Sequence, residues 1–131
     1  MINWSALWPD VRDGLESAAA ELRADTPTLW SDIRCAKNAS FPFWVYASLN
    51  VTGPTGDEDV VLSASFKFGD SVLSFTSDIA SGDGQILADG PRSESPLTDD
   101  ERMTEWAATC LEAFSDFIEE NLPLVRETLD R

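Results

Sequence analysis

The stretch VVLSASFKFGDSVLSFTSDI, residues 60–79, decides the fold because apolar and polar side chains alternate on both sides of a turn. The apolar positions that share one face are Val60, Leu62, Ala64, Phe66, Phe68, Leu73, Phe75 and Ile79. A period of two is typical of β-strands with one buried face. Gly69-Asp70 suits a two-residue hairpin turn, since glycine at the first position adopts a positive φ without strain. The sequence therefore predicts an antiparallel hairpin.

A two-residue turn also predicts the register of this hairpin. Phe68 would face Ser71, and Phe66 would then face Leu73 on the buried side. The remaining expected pairs are Ala64 with Phe75, Leu62 with Ser77, and Val60 with Ile79. A slip of one residue would send the apolar side chains of the two strands to opposite faces. We therefore expect turn and apolar pattern to agree on one register.

The same alternation on either side of this hairpin predicts two more strands. Residues 41–51 place Phe41, Phe43, Val45, Ala47, Leu49 and Val51 on one face. A glycine-containing turn at 81–84 leads to a short strand over 85–88, after which residues 89–97 are expected to form a polar loop. The result is a four-stranded antiparallel meander.

The N-terminal segment has a helical period instead. Its apolar stripe is Trp4, Leu7, Trp8, Val11, Leu15, Ala18, Ala19 and Leu22. Because proline is tolerated in the first turn, we expect this helix to begin near Ser5 or at Pro9 and to end near Ala24. Thr26-Pro27 is typical of an N-cap and first-turn pair, so a short second helix carrying Leu29, Trp30 and Ile33 is also predicted.

The clearest amphipathic pattern lies in the C-terminal segment. Thr98 and Glu101 match a capping box, in which each side chain accepts a backbone N–H of the other residue's turn. The apolar stripe that follows is Met103, Trp106, Ala107, Cys110, Leu111, Phe114, Phe117 and Ile118. Pro123 is expected to end or kink this helix before a last turn or two carrying Leu122, Val125 and Leu129. Residues 1–131 are therefore predicted to form one α+β domain with its helices on one face of the sheet.

Composition excludes several partners. The 131 residues contain 24 acidic and 9 basic side chains, a net charge of −15. That charge repels the phosphates of nucleic acids and the surface of anionic membranes. There is no run of 18 apolar residues and no basic, apolar leader at the start, so we expect a soluble, cytoplasmic protein.

Catalytic and metal chemistry find little support in the sequence. The chain has no histidine, the commonest general base and metal ligand at neutral pH. Cys35 and Cys110 are too far apart for a paired-cysteine motif and are expected to be reduced and mostly buried. No serine motif accompanies Lys37 or Lys67, and no calcium-loop pattern surrounds the turn at 81–84. We therefore expect neither an enzyme nor a bound cofactor or metal ion.

Two surfaces are candidates for binding. The first is the solvent side of the C-terminal helix, which carries Glu101, Glu105, Glu112, Asp116 and Glu119. Like charges on adjoining turns destabilise a helix by a few tenths of a kcal/mol per pair, roughly 0.2–0.5. This concentration of acidic residues on one side of the helix indicates either a surface for a basic partner or simply a solvated acidic face.

The second candidate is the outer face of the sheet. If Val51 pairs with Val60, Trp44 lies opposite Lys67 and Tyr46 lies opposite Ser65. Tryptophan and tyrosine are enriched in binding surfaces. This face could equally be covered by a loop or form a homodimer.

These observations predict a protein that binds another protein, most simply a basic one. In size, acidity and lack of catalytic groups the chain resembles small acidic inhibitors such as bacterial toxin-immunity proteins, and equally small acidic secretion chaperones. This is a resemblance of profile, carried by no sequence motif. A small-ligand binder or an enzyme with a cleft between sheet and helix is the remaining alternative.

Overall fold

A computed structural model describes residues 4–38, 44–53, 59–68 and 71–129. The elements in chain order are α1 (Trp4–Asp25), β1 (Trp30–Asn38), β2 (Trp44–Thr52), β3 (Asp59–Phe68), β4 (Val72–Ser81), β5 (Ile86–Asp89), β6 (Ser93–Pro96) and α2 (Asp100–Leu129). All strand pairs are antiparallel, in the order β1-β2-β3-β4-β5, with β6 also pairing with β4. The predicted α+β class is confirmed, but the described part of the chain contains six strands where four were expected.

The short helix predicted after Pro27 is wrong, because this segment forms β1. Trp30 pairs with Thr52 at one end of β1 and Asn38 with Trp44 at the other. The amide of Thr26 donates to the carbonyl of Leu22 at 3.1 Å, so Thr26 extends the end of α1 instead of capping a new helix. As an edge strand, β1 bonds to a neighbour on one side only, and its apolar alternation is correspondingly weak in the sequence.

β2 and β3 pair in the register that was assumed for the outer face, with Val51 opposite Val60. The register predicted for the hairpin of β3 and β4 is wrong by two residues. Phe66 faces Phe75 and not Leu73, which lies opposite Phe68. The other observed pairs on this face are Ala64 with Ser77, Leu62 with Ile79, and Val60 with Ser81. A shift of two residues preserves every side chain's face, so the apolar pattern could not distinguish the two registers. The predicted turn at 69–70 lies outside the described residues.

β5 and β6 act as one interrupted edge strand along β4. At the interruption the amide of Gly90 donates to the carbonyl of Ser77 at 3.0 Å, and the Ser77 hydroxyl donates to the carbonyl of Pro91 at 2.8 Å. A Cβ at Gly90 would lie 2.8 Å from the ring of Phe117, so only glycine fits between the sheet and α2. The predicted polar loop over 89–97 is therefore wrong. Residues 93–96 form β6 and pair with β4 through their backbone, although their sequence lacks the apolar alternation of a strand.

Both helices pack on one face of the sheet, as predicted. The centre of the core is Phe66, whose ring centroid lies 4.9 Å from that of Trp4, 4.8 Å from that of Phe75 and 5.6 Å from that of Trp106. Aromatic ring pairs at such distances stabilise the fold beyond what the burial of their apolar area contributes. Phe114 is buried over the sheet as expected, and Trp106 is partly buried with its indole N–H donating to Ser93 of β6 at 2.9 Å.

The helix ends differ in detail from the predictions. α1 begins at Trp4, so Pro9 lies beyond the first turn rather than within it. α2 begins at Asp100, and the carboxylate of Asp99 accepts the N–H of Arg102 at 2.9 Å, so Asp99 holds the capping position that was predicted for Thr98. An aspartate in this capping position also interacts favourably with the positive end of the helix dipole. Pro123 does not end α2, which continues to Leu129.

Candidate interaction surfaces

The acidic stripe consists of Glu101, Glu105, Glu112, Asp116 and Glu119 of α2. All five side chains are exposed, and their spacing of three, four or seven residues places them along one side of the helix. At 1.5 Å per residue the stripe spans about 27 Å. Arg102, which follows Glu101 in the sequence, lies 3.5 Å from Asp99 at the helix start. The stripe therefore keeps its negative charge over most of its length.

α1 lies beside α2 and runs parallel to it. Near their C-terminal ends, Arg126 of α2 forms an ion pair with Asp25 of α1 at 2.9 Å and contacts the carbonyl of Glu21 at 3.4 Å. Near the middle of α1, a Cβ at Gly14 would lie 3.6 Å from the hydroxyl of Ser115. Acidic side chains of α1 are therefore brought to the seam where α2 carries part of the acidic stripe.

An interhelical groove follows this seam and contains two depressions. The first has a volume of about 370 Å³ and a mostly apolar floor, with Asp10 of α1 and Glu112 of α2 among its lining residues. The apolar side chains that line it are Leu7, Val11, Leu15, Leu111, Phe114 and Ile118. One carboxylate from each helix thus borders an apolar hollow.

The second depression lies further along the same seam and is more polar. It has a volume of about 250 Å³ and is lined by Ala18, Ile118 and Leu122 together with two serines, Ser17 and Ser115. Glu21 of α1 and Glu119 of α2 also line it. The groove therefore joins Glu112 and Glu119, which the sequence indicated, to two carboxylates of α1 that it did not.

The aromatic patch, defined as Trp44, Tyr46 and Lys67, lies on the opposite side of the sheet from the helices. Trp44 faces Lys67 and Tyr46 faces Ser65, as predicted. These side chains line a shallow depression on the outer face. Trp30 of β1 points to the same face and is 55% exposed. The patch and the acidic stripe are therefore two separate surfaces and cannot form one site within a single chain.

An apolar cleft of about 240 Å³ lies between α1, α2 and strands β1 to β3. Its walls include Trp4, Trp8 and Phe66, and none of its lining residues carries a charge. Cys35 also lines it and is exposed, so the prediction of a buried thiol there is wrong, because the edge strand β1 is only partly covered. Cys110 is buried as predicted, and burial raises its pKa to about 11, which keeps the thiol neutral at neutral pH.

Among exposed titratable groups, shifted pKa values occur at Asp83 and at Arg34, and neither belongs to the acidic stripe. The hydroxyl of Ser81 and the amide of Gln85 lower the pKa of Asp83 in the turn between β4 and β5. On β1, the carboxylate of Asp32 lies 2.6 Å from Arg34 and raises the pKa of that guanidinium. Within the described ranges, no group of three or more His, Cys, Asp or Glu side chains is placed to hold a metal ion. These shifts reflect local hydrogen bonds and ion pairs on exposed strands.

In comparisons with known proteins, no family model, no curated protein and no solved structure matches this chain. Of the described helices, neither α1 nor α2 combines the length and apolar character that crossing a membrane requires.

Proposed function

We propose that this chain is a non-enzymatic, cytoplasmic protein-binding module that captures a basic protein through its helical side, as small acidic inhibitors and immunity proteins do. The observation that carries this proposal is the acidic stripe: five exposed carboxylates along one side of α2. A one-signed surface of this kind raises the rate of encounter with an oppositely charged protein.

Stability alone gives no reason for such a stripe. Like charges on adjoining turns of a helix cost about 0.2–0.5 kcal/mol per pair, whereas interspersed lysines would contribute a similar amount favourably. α1 adds Asp10 and Glu21 to the same side of the molecule. The helical side thus accepts a cost in stability that a basic partner would reverse on binding.

The apolar cleft gives weaker support to a small-ligand function. Its volume of about 240 Å³ lies below the range of roughly 300–1,000 Å³ that is typical of ligand pockets. No charged residue lines it, and Cys35 is its only titratable side chain, so it does not bring together a pair of groups for acid–base work. We therefore rank ligand binding and catalysis below protein binding.

The test compares charge-reversed variants of this protein with the wild type. The partner is first captured from the source cell and then purified. The triple variant Glu105→Lys, Glu112→Lys, Asp116→Lys removes the middle of the acidic stripe. We expect its association rate, measured by stopped-flow at low salt, to fall by about tenfold or more. The difference from the wild type should shrink as salt is added, because salt screens exposed charges.

A matched control separates the stripe from net charge. Asp59, Asp89 and Glu94 are exposed on the strands, and reversing them to lysine changes the net charge by the same amount. We expect a much smaller change in association rate. Equal slowing by both variants would assign the effect to net charge, and an unchanged rate in both would show that the acidity does not serve binding.

A further inference from the structure

We infer that the interhelical groove binds an amphipathic, basic helix of the partner. The inference rests on the proposed function and adds the chemistry of the contact: an apolar side chain enters the first depression and a lysine or arginine enters the second. Helices that lay one apolar side into a groove are a recurrent mode of protein recognition.

The groove exists because small residues line the seam between the helices. Gly14 and Ser17 of α1 and Ala108 and Ser115 of α2 line the two depressions, where longer side chains would cover the floor. Gly14 has no side chain to fill the seam, and even an added Cβ there would only reach ordinary contact with the Ser115 hydroxyl at 3.6 Å. Leu7, Val11 and Leu111 therefore remain partly exposed beside the seam, whereas the apolar residues deeper in the groove are buried.

The first depression has the composition of a pocket for an apolar side chain. Its floor is formed by leucine, valine, isoleucine and phenylalanine side chains, and Val11 and Leu111 remain partly exposed there. Covering apolar area contributes about 25 cal/mol per Å². Asp10 and Glu112 at the sides favour basic neighbours next to the inserted side chain.

The second depression has the composition of a site for a long basic side chain. The aliphatic stem of a lysine or arginine would lie along the depression between the exposed Ser17 and Ser115. The charged head would then reach Glu21 and Glu119, one carboxylate from each helix. An acidic or apolar residue would satisfy only part of this lining.

The spacing of the two depressions fits one helix of the partner. Their lining residues on α1 are centred about six positions apart, which corresponds to about 9 Å along the helix. Two turns of a partner helix span a similar distance, so an apolar residue and a basic residue seven positions apart would enter both depressions. The charge of the groove sides selects a basic helix over an acidic one.

The experiment uses synthetic helical peptides as probes and fluorescence anisotropy at physiological salt. The matching peptide carries one leucine and, seven positions later, one arginine on an alanine and lysine background. The control peptide has the same composition but places leucine and arginine on opposite sides of the helix. We expect the matching peptide to bind at least tenfold more tightly than the control, although both carry the same charge.

Two variants test the first depression. Ala108 is exposed at its edge, so Ala108→Trp places a large ring in the groove without removing a buried side chain. We expect this variant to weaken the matching peptide at least tenfold. Ala20 is exposed on α1 and lines neither depression, so Ala20→Trp should leave binding unchanged. Circular dichroism and thermal unfolding establish that both variants remain folded.

The second depression is tested by coupling. The double variant Glu21→Gln with Glu119→Gln should weaken the arginine peptide but leave a peptide with norleucine in place of arginine nearly unaffected. Equal losses for both peptides, or equal binding of the matching and control peptides, would overturn the groove as the site.

If Glu105→Lys with Asp116→Lys abolished peptide binding while Ala108→Trp did not, the basic partner would bind outside the groove, and only this inference would fail. If the groove bound the matching peptide but the natural partner ignored charge reversal, the proposed function would fail instead.

Discussion

The two faces of the sheet differ in what they contribute to the molecule. On the covered face, Leu62, Leu73 and Ile79 are fully buried beneath the helices. On the outer face, the neighbouring residues of the same strands are partly exposed and largely hydroxyl-bearing, as in the contact of Ser65 with Thr76 at 3.0 Å. Folding therefore depends on one face, which leaves the side chains of the other free for a partner.

The charges of the two sides differ as well. The helices carry more than half of the acidic residues of the chain, and the acidic stripe has no basic residue within it. The outer face mixes signs, with Arg34 paired to Asp32 and Lys67 beside Trp44. The negative charge is thus concentrated on the helical side, which under the proposed function would steer the partner, whereas the aromatic patch would contribute contact area.

The largest expected effect tests the covered face. Phe66→Ala removes a ring that contacts Trp4, Phe75 and Trp106 at the centre of the core. We expect the free energy of unfolding, measured by urea denaturation, to fall by about 3–5 kcal/mol. The substitution loses the free energy of transferring the ring out of water and leaves a cavity in the core. Tyr46→Ala on the outer face should cost much less. Comparable losses at both positions would contradict the contrast between the faces.

Two glycine-to-alanine substitutions are expected to change the free energy of unfolding by smaller amounts. In Gly90→Ala the added Cβ would lie 2.5 Å from the Ser77 hydroxyl and 2.8 Å from the Phe117 ring, so overpacking should cost about 1–3 kcal/mol. In Gly14→Ala the Cβ would make an ordinary contact within a helix, where alanine is favoured over glycine by up to about 1 kcal/mol.

Thermal or urea unfolding of both variants provides the measurement. We expect opposite signs, with Gly90→Ala destabilising and Gly14→Ala neutral or stabilising. A Gly90→Ala variant as stable as the wild type would mean that Gly90 does not lie as close to Phe117 of α2 as the structure places it.

The sequence predicted what depends on local periodicity. The apolar stripes identified α1 and α2, and the alternation over 60–79 identified the hairpin of β3 and β4. Its register was not predictable, because Phe66 points to the same face whether it pairs with Leu73 or Phe75. β1 was missed because Leu29, Trp30 and Ile33 also fit a helical spacing and the edge strand is weakly alternating.

The candidate surfaces were predictable to different degrees. The acidic stripe follows from residue spacing along one helix, and the aromatic patch followed from the pairing of Val51 with Val60. The interhelical groove required knowledge of which side of α1 meets α2. Periodicity gives the buried stripe of each helix but not its neighbour, so Asp10 and Glu21 carried no signal of their own.

The smallest expected effect on stability belongs to the aromatic patch, and it separates anchoring from folding. The double variant Trp44→Ala with Tyr46→Ala shortens two side chains that are partly exposed and belong to the outer face. Side chains on a half-exposed sheet face change stability by up to about 1 kcal/mol each, so the free energy of unfolding should fall by much less than in Phe66→Ala. If the patch anchors the partner, the dissociation rate of the complex should rise while the association rate stays constant, because contact area acts after encounter. The charge-reversed stripe should do the opposite and slow association. Surface plasmon resonance on both variants distinguishes the two, and an unchanged dissociation rate in the double variant would confine binding to the helical side.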